Sequence, residues 1–365
     1  MRPLLSLKRL WILLTLPAAL GLLWAAGNPD FAEWYALHPY AFLSKIGNAV
    51  TGVLPFSLAE ILLILCIFGI PIAFIWFLVH VCRSKGRRKT VLAKGGIDLL
   101  CTLSVLLLLF TLNCGINYSR HTFAETCGLE IRPSSTEELT ELSRYLAGKL
   151  NELRPLVKED EDGVMISSFS SLQEQGEAAR KAFNALHKEY PLLSPGYSDP
   201  KAVMNSRVMS WFHITGVYFP FTFEANVNVD APAYSIPATM CHELSHLRGF
   251  MREDEANFIG YLACCRSESP DFQYSGYMLA FLYTNNALCS ADGETGSAVY
   301  AELSEGVRRD YAANNAYWQQ FEGPMKEISS SVNNSYLKAN GQEDGVKSYG
   351  RMVDLLLAEY RAQKE

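Results

Sequence analysis

Two histidines and a glutamate close together in the chain have the types and spacing that hydrolytic metal chemistry requires. If residues 237–247 are helical, His242 and His246 are four residues apart and lie one above the other on one face. Two imidazoles placed this way can share one tetrahedral Zn2+ and leave room for a third protein ligand and a water. Glu243 is next to the first histidine and can reach that water as a general base. The spacing therefore predicts a catalytic zinc site.

The third ligand is expected from the acidic start of the next helix. Gly249 follows His246 by three residues and can end the first helix in a left-handed turn. Glu253 is then the first choice as ligand, and Asn257 lies one turn later, where it can hold a ligand histidine by a hydrogen bond. Glu255 is the competing choice. It lies on a different face of the same helix, so only the three-dimensional geometry can decide between the two glutamates. The alternative is that these acidic residues only favour the positive end of that helix.

The two motifs together resemble those of a known enzyme class. His-Glu-Leu-Ser-His at 242–246 and Glu-Asp-Glu-Ala-Asn at 253–257 are similar to the motifs of zincin metallopeptidases, in particular the gluzincins with their Glu-x-x-Ala-Asp/Asn. Over its whole length the chain also resembles an uncharacterised bacterial membrane family that has three spans followed by a zincin-like domain. The resemblance implies that Glu253 is a zinc ligand. The short gap after His246 is closer to that of metzincins, whose third histidine would fall at Arg252, so Glu255 stays open as the alternative.

Three long apolar runs without charged residues lie in the N-terminal third, at residues 10–29, 61–82 and 99–119. Each has about twenty residues, enough to cross a hydrocarbon core of about 30 Å. The alternative for the first run is a cleaved signal peptide, but the run is long for that and two further runs follow. The sequence therefore predicts a membrane domain with three transmembrane helices at 1–119 and a second domain at 120–365.

The basic residues around these runs predict the orientation of the chain in the membrane. Arg2, Lys8 and Arg9 precede the first run, and the segment between the second and third runs is rich in lysine and arginine. By the positive-inside rule, the N-terminus and that segment are cytoplasmic. We therefore expect a multi-pass protein of the cell membrane whose catalytic domain lies outside the cytoplasm.

The second domain is expected to be mostly helical. Apolar periodicity with start and stop signals predicts helices over 133–150, 168–189, 206–213, 237–247, 253–265, 274–288, 307–321 and 352–360. Residues 217–229 are rich in aromatic and β-branched residues and predict a strand, which Pro220 restricts to an edge or a bulge. A polar turn against the site or the domain edge is expected over 335–349. The predicted fold is mainly α: three transmembrane helices followed by an α+β zincin-like domain with a small sheet.

Two further features near the motif have a functional and a structural interpretation. The predicted strand can pair with an extended peptide substrate, or it can be an ordinary hairpin edge. Tyr274, Tyr277 and Tyr283 are candidates for stabilising an oxyanion, or they can be packing residues.

Composition and motifs together lead to one functional prediction and one alternative. A hydrophobic content of 49% and a net charge of −6 are typical of neither a disordered chain nor a nucleic-acid-binding protein. The prediction is a membrane-anchored zinc metallopeptidase that acts on a peptide or protein of the cell envelope, with the lipid bilayer as its other partner. The alternative is a catalytically silent zinc-binding sensor or scaffold of the envelope. Glu243 favours the enzyme, because a closed structural zinc site needs no general base. An intramembrane protease is disfavoured, because the motif follows the last apolar run at a distance and lies in a polar segment.

Overall fold

The fold is given by a computed structural model that describes residues 6–364 and is mainly helical, with one small three-stranded sheet. Three helices near the N-terminus are long and apolar enough to cross a membrane. The predicted fold class, a mainly α chain with three transmembrane helices and a small sheet, is confirmed at this level. Arg2, which contributes to the predicted orientation, lies outside the described residues.

The N-terminal part consists of helices joined by short turns. They are α1 (Leu7–Leu13), α2 (Thr15–Ala25), α3 (Pro29–Tyr35), a π-helical turn (Ala36–Tyr40), α4 (Ala41–Gly52), α5 (Leu58–Arg83), α6 (Arg88–Asn113) and a 3-10 turn (Gly115–Ser119). The candidate spans are α1 with α2, then α5, then α6.

The bounds of the first and third spans differ from the predicted ones. The first span ends at Ala25 instead of residue 29, because the side chain of Asn28 accepts from the backbone N–H of Asp30 at 2.9 Å and starts α3. The third span begins at residue 88 instead of 99, because the helix continues through charged residues that interrupt the apolar run. One of them, Asp98, forms an ion pair with Arg9 of the first span at 2.7 Å. It ends at Asn113, after which the backbone leaves the helical conformation.

The segment between the first two spans packs on the C-terminal part of the chain. Tyr40 is buried, and its hydroxyl donates to the carbonyl oxygens of His246 and Leu247 at 3.3 and 3.2 Å. Asn48 donates to the carbonyl of Phe223 at 2.9 Å and accepts from the N–H of Ser198 at 2.7 Å. These contacts join the two regions between which the sequence predicts a boundary at residues 119 and 120, and that boundary stays a prediction.

The remainder of the chain surrounds one helical core. Its elements are α7 (Phe123–Cys127), α8 (Thr136–Leu153), α9 (Leu172–Leu186), β1 (Lys201–Ala202), α10 (Ser206–Trp211), β2 (Gly216–Phe219), β3 (Glu224–Val227), α11 (Ile236–Leu247), α12 (Glu253–Cys265), α13 (Pro270–Ala291), α14 (Gly293–Ala301), α15 (Glu305–Gln319), α16 (Pro324–Ala339) and α17 (Met352–Ala362), with 3-10 turns at Arg154–Leu156, Ala233–Ser235 and Gly345–Arg351.

The sheet has the order β1-β3-β2, so β2 lies at one of its edges. β2 runs antiparallel to β3, with Gly216 opposite Val227, whereas β1 is parallel to β3. The single strand predicted over 217–229 is therefore a hairpin. Pro220 has no N–H to continue the ladder, and Phe223 has a φ of +53°, which closes the turn.

Helix α11 is the centre of the core and is buried along most of its length by α12, α13, α9 and the sheet. Its contact with α12 is close, because a Cβ on Gly260 would lie 3.1 Å from the backbone nitrogen of His242. The predicted helices in this part of the chain are present, but the polar turn predicted over 335–349 is correct only for residues 340–344, where Gln342 contacts Glu253. Residues 335–339 complete α16, and residues 345–351 form a 3-10 turn. Serine and asparagine are common in α16, and because their helix propensity is low, the sequence did not predict this helix.

Candidate metal site

Helix α11 ends in the turn that the sequence predicts. Gly249 has a φ of +86°, its N–H donates to the carbonyl of His246 at 2.8 Å, and the N–H of Phe250 donates to Ser245 at 3.3 Å. This pair of hydrogen bonds is a Schellman motif, which favours glycine because of its left-handed backbone. The reversal brings the first residue of α12, Glu253, back to the histidines.

Three side chains converge at this turn. Oε2 of Glu253 lies 3.2 Å from Nε2 of His242 and 3.5 Å from Nε2 of His246. The potential ligand atoms all lie within 4.8 Å of one another. A tetrahedral Zn2+ with bonds of about 2.0–2.2 Å separates its ligand atoms by about 3.3–3.6 Å. The distances from the Glu253 oxygen to the two histidine nitrogens are within about 0.1 Å of this range. One ion could therefore be shared, and we call these residues the His–His–Glu cluster.

The second ring nitrogen of each histidine is held by an oxygen. Nδ1 of His242 lies 2.8 Å from Oδ1 of Asn257, and Nδ1 of His246 lies 2.7 Å from the carbonyl oxygen of Phe250. Because these oxygens accept, each Nδ1 carries a proton and donates it, and the Nε2 of a neutral ring keeps its lone pair for a metal. The amide of Asn257 is itself positioned by donating to the hydroxyl of Tyr283 at 3.4 Å. Metal-binding histidines are commonly oriented in this way.

Glu243 is buried next to the cluster, with a residue exposure of 3%. No described residue hydrogen-bonds its Oε2. β2 packs closely against the other oxygen of this carboxylate: a Cβ on Gly216 would lie only 2.4 Å from Oε1 of Glu243. Burial raises the pKa of Glu243, although the nearby histidines lower it. A buried carboxylate oxygen without a protein partner is available to a water or a substrate group.

The cluster has strong internal electrostatics. Burial lowers the pKa of His246, but the Glu253 carboxylate outweighs burial and raises it to about 9. Burial raises the pKa of Glu253, but the two histidines hold it far below its usual range. Glu253 is therefore an anion at neutral pH although it is buried, and a buried anion facing two imidazole nitrogens is suited to a cation.

Glu255, the competing ligand in the sequence analysis, points away from the cluster. Its Oε1 accepts from the backbone N–H of Phe123 at 2.8 Å and from Nη1 of Arg252 at 3.0 Å. A step of two residues rotates a helical side chain by about 200°, so the two glutamates face different neighbours. The structure brings Glu253, and not Glu255, to the histidines.

The three tyrosines proposed for oxyanion stabilisation have different surroundings. Tyr274 is buried, and its hydroxyl donates to Asp310 at 2.7 Å. Tyr277 packs its ring on Tyr261 with 5.9 Å between centroids. Tyr283 lies beside the site through its contact with Asn257. Of these candidates, only Tyr283 is connected to the cluster by a hydrogen-bond chain.

The structure adds residues that sequence reasoning missed. The hydroxyl of Tyr118 donates to that of Tyr336 at 3.2 Å. Burial raises the pKa of Tyr118, and the charge of Glu253 adds to this effect. Oε1 of Gln342 accepts from the N–H of Glu253 at 3.5 Å, whereas its Nε2 has no described partner. These residues come from the end of a span and from the segment 335–349, and no local motif marks them.

Comparison with known proteins supplies a family but no activity. A family model described as "Protein of unknown function (DUF3810)" matches residues 35–357. The match begins at the end of α3 and ends in α17, so it includes the second and third spans and the whole cluster. No curated protein and no solved structure matches the chain. The resemblance to zincins therefore depends on the residues of the site alone.

Proposed function

The chain belongs to this DUF3810 family of unknown function, and we propose from its site that it is a membrane-anchored zinc metallopeptidase. The observation that carries the proposal is the convergence of the His–His–Glu cluster beside Oε2 of Glu243, an oxygen that no described residue hydrogen-bonds. Two imidazoles and one carboxylate are a ligand set of catalytic zinc sites, which keep one position open. A structural site would be expected to have a fourth protein ligand and to need no carboxylate of this kind.

The residues of the site divide the work of peptide hydrolysis. Zn2+ held by the cluster would supply Lewis-acid chemistry, lowering the pKa of a water and polarising the scissile carbonyl. Glu243 accepts a proton from the attacking water and passes it to the leaving nitrogen. Its raised pKa suits this double role, because the group must both take up and release a proton. Asn257 and the carbonyl of Phe250 keep the two imidazoles oriented.

The edge strand β2 suits the binding of an extended substrate. β2 pairs with β3 on one side only, and Gly216 at its start is in contact with Glu243. A peptide that adds to the open edge by main-chain hydrogen bonds would pass in front of Glu243. The proposed substrate is therefore a peptide or protein segment in extended conformation.

The proposed location of this chemistry is outside the cytoplasm. Basic residues lie between α5 and α6, at the end of α6 that is remote from the cluster, whereas Asn113 at its other end hydrogen-bonds to the hairpin of β2. By the positive-inside rule, the basic end is cytoplasmic. The substrate would then belong to the cell envelope.

Metal analysis with a peptidase assay tests the proposal on the purified full-length protein. We expect about one zinc per chain in the wild type, in Glu243→Gln and in Glu255→Ala, and weakened binding in Glu253→Ala. A peptide hydrolysed by the wild type should be cleaved about 10²–10⁴ times more slowly by Glu243→Gln. Zinc binding without hydrolysis of any peptide would support the silent sensor or scaffold. A wild-type protein that binds no zinc under metal-replete conditions would refute the metallopeptidase.

A further inference from the structure

Helix α4 has its polar residues on the side that faces the protein. Ser44, Asn48 and Thr51 are buried. The hydroxyl of Ser44 is 2.8 Å from that of Tyr197, and Thr51 donates to the carbonyl of Thr222 at 3.0 Å. Each inward polar group of α4 therefore has a partner in the C-terminal part of the chain.

The opposite side of α4 is apolar and exposed. Phe42, Ile46, Val50 and Val53 are 65, 50, 67 and 78% exposed. They follow a spacing of four, four and three residues, which places them on one helical face. A helix at a water surface has the reverse pattern, with polar side chains outside. This face needs an apolar environment that the described residues do not supply.

A candidate membrane span begins close to this face in the chain. Five residues separate α4 from span α5, and the first N–H groups of α5, those of Leu58 and Ala59, donate to the carboxylate of Glu224 at 3.1 and 2.8 Å. At the end of span α6, the side chain of Asn113 donates to the carbonyl of Pro220 at 3.0 Å. β3 and the turn that follows β2 are thus tied to span ends, and the sheet lies at one end of the candidate spans.

Helix α16 has a similar exposed stripe beside the same span end. Met325, Ile328, Val332 and Tyr336 are spaced by three, four and four residues, and all are exposed. The ring of Tyr336 packs against that of Phe110 in span α6, with 6.3 Å between centroids. The Tyr336 end of the stripe therefore contacts span α6.

We propose that α4 is an interfacial membrane helix, with Phe42, Ile46, Val50 and Val53 among the lipid acyl chains. The occupant of the exposed face is lipid, because a candidate span follows α4 after only five residues and the polar groups on the buried side of α4 already have partners. Amphipathic helices with one apolar face lie in the membrane plane in this manner. Tyr40, directly before α4, donates to carbonyl groups at the end of α11, and this contact links the position of α4 to that of the site.

This position restricts the substrate, and that part of the inference rests on the proposed function. The open edge of β2 leads into the turn at Pro220, which Asn113 holds at the span end. A peptide paired with β2 therefore has its end near Pro220 close to the membrane surface. The favoured substrates are membrane-anchored chains whose cleavable bond is close to the bilayer.

Cysteine labelling of the full-length protein in lipid nanodiscs tests the position of α4. Ile46→Cys and Val50→Cys probe the apolar face, Ile72→Cys in span α5 is the lipid control, and Ser297→Cys on the exposed side of α14 is the aqueous control. A charged maleimide that does not enter lipid is quantified by mass spectrometry at each introduced cysteine, separately from the native cysteines. We expect positions 46 and 50 to react about tenfold less than position 297, as position 72 does. Reaction equal to that at position 297 would overturn the proposal.

A second reagent identifies what covers the face. A phospholipid with a photoreactive group on its acyl chain should form adducts on the peptide that contains residues 42–53 of the unmodified protein. Protection from the maleimide without lipid adducts would mean that protein, such as a second copy of the chain, covers α4, and this result would also overturn the proposal.

The substrate restriction is tested with one cleavable segment in three forms: soluble, joined to a membrane anchor by a short spacer, and joined by a long flexible spacer. The short form should be cleaved fastest. The two anchored forms have the same surface concentration, so their difference reports the distance from the membrane. Equal cleavage of all three would overturn the restriction and leave the peptidase proposal intact. No cleavage of any form by the zinc-loaded protein would count against the proposed function itself, independently of the labelling result.

Discussion

Replacing Gly216 with alanine tests whether Glu243 acts from the position in which β2 holds it. A Cβ at residue 216 would lie 2.4 Å from Oε1 of Glu243 and 2.8 Å from its Cγ and Cδ. Non-bonded carbon atoms prefer about 3.5 Å or more, so the carboxylate or the strand must move by about 1 Å. A displacement of about 1 Å in a catalytic arrangement can lower the rate about 10²-fold. We expect kcat to fall by about this factor, whereas zinc content stays unchanged because Glu243 is not a ligand.

The assay is kcat on one peptide, measured together with zinc content and thermal stability. Gly148 in α8 provides a matched control, because no atom lies within 4 Å of a Cβ built there. Gly148→Ala should leave kcat unchanged and stabilise the helix by about 0.5–1 kcal/mol. An unchanged kcat in Gly216→Ala would refute the role assigned to the contact. Loss of zinc in that variant would show that the strand supports the metal ligands instead of Glu243.

Two further variants and two pH measurements test the surroundings of the cluster. Glu255→Ala should keep its zinc but lose about 1–3 kcal/mol of unfolding free energy, because Arg252 and the buried N–H of Phe123 lose their acceptor. Urea unfolding measures the loss of stability, and loss of zinc from this variant would contradict the prediction. Asn257→Ala should weaken zinc binding about 10–100-fold, because Nδ1 of His242 loses its acceptor. Competition with a chelator measures the zinc affinity, and an unchanged affinity would be inconsistent with the role of Asn257 in orienting His242. Zinc affinity should fall about tenfold per pH unit below pH 9, because a proton competes at His246, whose pKa is about 9 without metal. In the metal-free protein, the ion pair between protonated His246 and Glu253 should stabilise the fold. This contribution is complete below about pH 6.5 and is lost as the pH rises through 9, the pKa of His246 in the folded protein. A melting temperature that does not change over this pH range would contradict the prediction.

Local signals explain the parts of the fold that could be predicted. Helix α12 begins at Glu253 as expected, because Gly249 permits a left-handed turn that ends α11 and the apolar periodicity resumes directly after that turn. The spans follow from hydropathy, although their ends do not, since a capping side chain such as Asn28 decides where the next helix starts. Helix α16 was missed because its apolar stripe faces outward and its other residues are weak helix formers.

The choice between two neighbouring carboxylates shows where local signals end. Glu253 and Glu255 both lie in the first turn of α12, and either could be a ligand by spacing alone. The rotation of α12 about its axis decides between them. That rotation follows from the packing of α12 on α11, where Gly260 allows the two backbones to approach closely.

By itself, the sequence determined the residue types that can carry out the chemistry, the helix that pairs His242 with His246, and the three apolar spans. Each of these depends on the spacing of residues within one element. Only the tertiary structure decided that Gly216 confines Glu243 and that Tyr40 and Asn113 connect the site region to the membrane part. These contacts join residues from distant parts of the chain, and the packing of many side chains at once sets their geometry.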